Sequence, residues 1–117
     1  MTEPSPPTAI PPMAARLEDL LARGPETALL RFSLGNAWLT QAPARAVTHF
    51  ERAVALDPDY SAAWKLLGKA RLAAGDNDGA GAAWTRGIAV AAAHGDVQAG
   101  KEMQVFLRRL SSAQPTR

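Results

Sequence analysis

Cysteine is missing from all 117 residues, so neither a disulfide framework nor a thiolate metal site is open to this chain. A dominant charge is missing too. Thirteen Lys and Arg against eleven Asp and Glu leave a formal charge of +2, and the two signs are interspersed. The sequence pI of about 9.5 is therefore poor support for a nucleic-acid partner. No apolar run approaches the ~18 residues of a membrane span, which argues against a membrane partner. The opening segment MTEPSPPTAIPP has neither a basic nor an apolar signal region, so no signal peptide and a cytoplasmic protein are expected. No β-branched run alternates with polar residues, and a 47% hydrophobic composition rich in Ala points to an all-α protein. The length suits one domain with one modest core.

Catalytic and ligating constellations are absent as well. His49 and His94 fall in different helical segments, and neither has an HExxH-like arrangement that would make a metal site. The first is read as a partly exposed or packing residue, the second as a charge suited to a helix C-terminus. Ser33, Ser61 and Ser111 lack a nucleophile-elbow context. The GDNDGAG stretch at Gly75–Gly81 has acidic residues that repel phosphate and no P-loop Lys, so it reads as an inter-helix turn. Asp76 and Asp78 lack the remainder of a 12-residue calcium loop. No cofactor is called for, and an enzyme is not expected.

The informative feature is a repeat. Leu34-Gly35 and Leu67-Gly68 stand 33 residues apart, while Ala46 and Ala80, and Phe50 and Trp84, stand 34 apart. The turn at Gln41-Ala42-Pro43 is one residue shorter than Gly75 to Asp78, which accounts for the difference. Such a period predicts a helix-turn-helix solenoid. Each hairpin of such a stack buries one face against itself and another against its neighbour. Gly35 and Gly68 let the facing helix approach, and Ala46, Ala53 and Ala80 do the same from the other side. Trp38, Phe50, Trp64 and Trp84 then fill the larger gaps, each burying roughly 150–250 Å².

Residues 1–12 carry five of the nine prolines and are expected to be an extended, mobile tail. A first helix is expected from Pro12 to Arg23, with Met13, Leu17, Leu20 and Leu21 as its stripe, ended by Gly24-Pro25. Further helices are expected over about Glu26 to Gln41, Pro43 to Leu56, about Tyr60 to Ala74, about Asp78 to Ala93, and Asp96 to about Leu110. Asp57-Pro58-Asp59 offers a turn and an N-cap for the fourth, and Gly75 a left-handed stop. The sixth carries Ala99, Met103, Phe106, Leu107 and Leu110 on one stripe and lacks a Trp-Leu-Gly opening. It reads as the C-terminal cap, with the first helix as its counterpart. The domain is thus 13–110, with repeat one at about 28–60, repeat two at about 61–94, the cap at 96–110, and 111–117 a second tail.

Over residues 28 to 94 the chain resembles the tetratricopeptide repeat family, whose 34-residue pattern sets an aromatic before Leu-Gly and an aromatic, Ala, an aromatic, Ala and Pro after it. Leu34, Gly35, Trp38, Ala46, Phe50, Ala53 and Pro58 match in the first unit, with Arg31 replacing the opening aromatic. In the second, Trp64, Leu67, Gly68, Gly75, Ala80 and Trp84 match, with Arg71, Gly87 and Ala92 at the middle aromatic, the later Ala and the Pro. The resemblance implies a right-handed helical-hairpin solenoid of two repeats with capping helices at both ends. It also implies a non-catalytic scaffold that binds a protein or peptide in its concave groove. In the family's register the groove would be lined by Leu29, Phe32, Asn36, Leu39 and Thr40 from repeat one, and Ala62, Lys65, Lys69 and Leu72 from repeat two. An apolar floor with one amide and two ammonium groups suits an acidic segment; it also leaves a homodimer open, with the groove filled by another copy. Co-chaperone members hold a C-terminal carboxylate with Lys, Asn and Arg over three repeats. Here Asn36 matches one such position, but Phe32 and Leu66 occupy two others and no third full repeat exists. Nucleic acid through Arg31, Arg45, Arg52, Arg108 and Arg109 is the weaker alternative, because Glu26, Glu51, Asp57 and Glu102 lie among them.

Overall fold

A computed structural model describes residues 10–113. Within that range the chain forms six α-helices and no strand: α1 Pro12–Arg23, α2 Ala28–Trp38, α3 Pro43–Leu56, α4 Ser61–Ala73, α5 Asn77–His94 and α6 Val97–Ala113. The expected tails at 1–12 and 111–117 lie largely outside the described residues, but Pro12 and residues 111–113 belong to helices.

Local chemistry fixes most ends. Pro12 and Pro43 occupy first helical positions, where a missing N–H costs nothing. Thr27, Asp76 and Asp96 accept bonds from the backbone N–H of Leu30, Gly79 and Ala99 at 3.0, 2.9 and 3.2 Å, capping α2, α5 and α6. Gly75 and Gly95 take φ of 90° and 72°, and the amides after them close back onto Arg71 and Ala91. The start of α4 differs from expectation. Tyr60 is its N-cap and makes no side-chain cap, because the acidic turn is used locally: Asp57 Oδ1 accepts from the Asp59 amide at 3.1 Å.

Successive helices pack on one another, and α2, α4 and α6 also touch in series, forming an inner layer with α3 and α5 outside it. The hairpins α2–α3 and α4–α5 are the two repeats. Glycine permits their closeness: a Cβ on Gly35 would lie 2.4 Å from the Phe50 ring, and one on Gly68 2.1 Å from Trp84 Nε1. Leu34, Trp38, Phe50, Leu67, Trp84 and Met103 are the large fully buried side chains. Two clusters, one centred on Trp38 and Phe50 and one on Trp84 and Met103, share the half-buried Trp64.

The helix α6 closes the array. It buries Ala99 and Met103, packs Phe106, Leu107 and Leu110 on the second cluster, and exposes Lys101, Gln104 and Arg108. Lys101 stands 33 residues after Gly68, where a further hairpin would need another glycine. The other end is less well covered. In α1, Ala14 is buried and Leu17 and Leu21 pack on the first cluster, but Met13 and Leu20 are 55% and 52% exposed. The expected four-residue stripe is thus only half buried, because α1 packs chiefly on one helix, α2, and reaches α3 only through side chains such as Glu18.

Polar contacts tie α1 down. Glu18 Oε2 accepts from Trp38 Nε1 at 3.2 Å and lies 3.5 Å from His49 Nε2, while Arg31 meets His49 Nδ1 at 3.0 Å. His49 is 6% exposed, so of its two readings the packing one describes it: α1 and Arg31 cover it. A guanidinium only donates, so Nδ1 accepts and Nε2 carries the proton towards Glu18. Burial lowers the His49 pKa, aided by the charges of Arg31 and Arg45 and opposed by Glu18. A histidine held neutral contributes stability above its unfolded value near 6.5 that is lost as pH falls towards its folded value. Glu26, bound by Arg52 and Arg31, is pulled down to about 2 and stays ionised throughout that window. The melting temperature is therefore expected to fall between about pH 7.5 and about pH 5, with a shallower slope in His49→Gln. An equal slope in that variant would assign the titration to other groups.

Candidate functional site

The inner layer brings the sequence-derived groove residues onto neighbouring helices. Leu29, in the first turn of α2, is 65% exposed. Phe32, one turn on, is half-buried: its ring meets Phe50 edge-on at 5.8 Å and Tyr60 at 4.8 Å, so it is a fixed piece of floor. Asn36 is exposed on the same helix, Leu39 packs on the first cluster just past the helix end, and Thr40 is exposed in the turn. From α4 come the half-buried Ala62 and Lys65, the exposed Lys69, and Leu72 at 42% exposure.

The two ammonium groups differ in state. Lys65 Nζ donates to Glu102 Oε1 at 2.6 Å, and that bond, with a weaker one from Gln98, lowers the Glu102 pKa. Its backbone carbonyl accepts from Trp84 Nε1 at 3.0 Å. Lys65 is thus committed to joining α4 to α6. Ser61 adds a second tie, donating to Asp96 at 2.5 Å and lowering its pKa. Lys69 instead lies 5.3 Å above the Phe106 ring with no carboxylate partner among the described residues.

Sequence reasoning left α6 out of the candidate groove. Glu102 meets α4 through Lys65 and is itself bonded by Gln98, while Arg109, seven residues beyond Glu102, is exposed and has no ion-pair partner among the described residues. A signal existed: Gln98 and Glu102 stand 33 residues after Lys65 and Lys69, so α6 continues the inner register although it lacks the Trp-Leu-Gly opening. Among these residues Phe32, Leu39 and Leu72 are apolar and at least partly exposed, and Asn36, Lys69 and Arg109 are exposed and polar. No group of three His, Asp or Glu side chains able to hold a metal occurs among the described residues, and none of their helices is long and apolar enough to cross a membrane.

Residues 37–102 match the family model described as Tetratricopeptide repeat. The chain belongs to the tetratricopeptide repeat family. It is 58% identical over 102 residues to the TPR repeat-containing protein PA0015 of Pseudomonas aeruginosa, covering 86% of this chain and 97% of that one. Among solved structures it is similar to protein BPP2914 from Bordetella parapertussis, with a TM-score of 0.75 and 46% identity over 86% of this chain and 88% of that one. A tetratricopeptide repeat domain protein from Salinibacter ruber gives a TM-score of 0.73 at 27% identity, over 81% of this chain and 97% of that one. The tetratricopeptide fold is in general a non-catalytic architecture for binding proteins or peptides. Its hairpin stack accounts for the pairing of Gly35 with Phe50 and Gly68 with Trp84, and for the inner placement of α2, α4 and α6.

Proposed function

We propose that this tetratricopeptide protein is a cytoplasmic, non-catalytic interaction module that holds an acidic peptide or partner-protein segment on the inner face of α2, α4 and α6. What supports this reading is a partly exposed apolar set, Phe32, Leu39 and Leu72, in the same layer as two exposed cations, Lys69 and Arg109, that no carboxylate among the described residues neutralises. Apolar side chains of the segment cover Leu72 and Phe32, and its carboxylates meet the cations. Lys65 is a support, since Glu102 already matches its charge.

A photo-cross-linking residue at Asn36 is expected to capture the partner from an extract of the native cell. Lys69→Glu with Arg109→Glu is expected to slow association of that partner about tenfold at low salt, because rim charges set encounter rate. Leu72→Gln is expected to raise the dissociation rate instead. Binding that ignores all three changes rules out this face. A cross-link joining two copies of this chain would favour the homo-oligomer with a filled groove, and a cross-link to nucleic acid would overturn the protein-binding reading.

A further inference from the structure

Helix α6 stands in the place of a third inner helix but has no outer helix of its own. On α4 the face that meets α5 is marked by four residues: a Cβ on Gly68 would strike Trp84, Leu67 is 1% exposed, Trp64 lies against Gly87, and Arg71 donates to the Gly79 carbonyl. Thirty-three residues on, the same positions of α6 hold Lys101, Gly100, Val97 and Gln104. Lys101, Gln104 and Val97 are exposed, Val97 by 63%. A cleft of about 300 Å³ opens there, with Ile88, Ala91 and Ala92 of α5 and Val97 and Gly100 of α6 in its walls. It continues along α6 past Gln104 to Leu107, Arg108 and Ser111. From Val97 to Ser111 the surface runs about 21 Å, enough for a helix as long as the 14-residue α3. Its position is the one α3 and α5 take in the two complete hairpins, so the vacancy has the shape of an outer helix.

We propose that this cleft receives an acidic amphipathic helix from a different protein, which completes the third hairpin in trans. The charges set its chemistry. Lys101 and Arg108 lie seven residues, about two turns, apart on α6 and have no ion-pair partner among the described residues. Asp96, at the near end of the cleft, is already bonded by Ser61 and the Ala99 amide. Lys101 also stands where α4 has Gly68. An aromatic wedge like Trp84 would meet the Lys101 stem there, whereas a carboxylate would meet its ammonium. The occupant therefore carries two carboxylates about two turns apart, beside an apolar stripe that covers Val97 and Ile88. A second copy does not supply such a helix, because none of the six described helices holds two Asp or Glu residues seven apart. Arg109, the groove cation of α6, takes no part in this surface.

Titration of the 15N-labelled full chain with a synthetic probe tests this. The probe is an alanine-based helical peptide that bears a leucine stripe and two glutamates seven residues apart. The expected result is saturable shifts of the Ile88, Val97, Gly100 and Gln104 amides, with a dissociation constant that rises more than tenfold in Lys101→Glu with Arg108→Glu, and also in Val97→Glu. These side chains are exposed, so both variants are expected to keep the thermal melt of the parent chain. The same peptide with lysine for glutamate is expected not to bind. Absence of saturable shifts overturns the proposal, as does equal binding of the lysine peptide or a constant that ignores both variants. Shifts confined to Asn36, Lys69 and Leu72 overturn it too, and would place the acidic segment in the groove. Because the two surfaces use different side chains, failure here leaves the groove reading standing.

Discussion

Removal of residues 97–117 is expected to abolish cooperative folding. Helix α6 supplies Ala99, Met103, Phe106, Leu107 and Leu110 to the cluster that encloses Ala80, Trp84 and Ala91. Phe106 lies 5.4 Å from the Trp84 ring, and Met103 Sδ covers Gly87 so closely that a Cβ there would be 2.4 Å away. Fully burying a large apolar side chain contributes roughly 1.5–3 kcal/mol. Phe106, Leu107 and Leu110 are only partly buried, so the low figure applies, and with Met103 the four contribute about 6 kcal/mol. Whole domains are stable by only about 5–15 kcal/mol. Two hairpins also fall short of the roughly three that a repeat array usually needs. The truncated chain is expected to melt without a sharp transition and to bind a hydrophobic dye. A cooperative melt with an unchanged midpoint would show that α6 does not stabilise the stack.

The sequence exposed the helices and hid the cross-links, for one physical reason. Helix ends are set by neighbours in the chain: Pro12, Pro43, Gly75 and Gly95 each act through their own backbone geometry, so the ends they mark were predictable to within a residue or two. Ties between helices depend on how the stack is assembled. Lys65 and Glu102 are 37 residues apart, Ser61 and Asp96 are 35, and no local pattern joins them. The consequence for the groove is concrete. Lys65, read with Lys69 as a pair of groove ammonium groups, proves to be matched by Glu102, which stands on a helix read only as a cap. His49 shows the same limit: its burial comes from Glu18 on α1 and Arg31 on α2, both remote in sequence. The exposure of Met13 and Leu20 was hidden for a different reason. A stripe at helical spacing reports which face is apolar, and the number of neighbouring helices decides how much of that face is covered.

Gly68→Ala and Trp84→Ala are expected to be strongly destabilising singly and markedly non-additive together. The indole of Trp84 is 1% exposed, lies against the bare backbone of Gly68, and donates from Nε1 to the Lys65 carbonyl at 3.0 Å. Truncating it leaves a cavity and removes a second hydrogen bond from the Lys65 carbonyl, which lies within α4, at a cost of about 3–5 kcal/mol. A Cβ on Gly68 would meet Trp84 Nε1 at 2.1 Å and Cδ1 and Cε2 at 2.5 Å. The contact is with a rigid ring held by its own hydrogen bond, so the indole cannot give way as a flexible chain end would. Alanine there should force the two helices apart at a cost of about 1–3 kcal/mol or more. With Trp84 already reduced to Ala, the added methyl has room and fills part of the cavity. The double variant is therefore expected to lose no more stability than Trp84→Ala alone, giving a coupling energy of about 1–3 kcal/mol in a double-mutant cycle read by chemical denaturation. Strict additivity would show that the close approach of α4 and α5 is not set by the glycine and the ring. The same cycle on Gly35 and Phe50 tests whether both hairpins are closed by one device, since a Cβ on Gly35 would come within 2.4 Å of that ring.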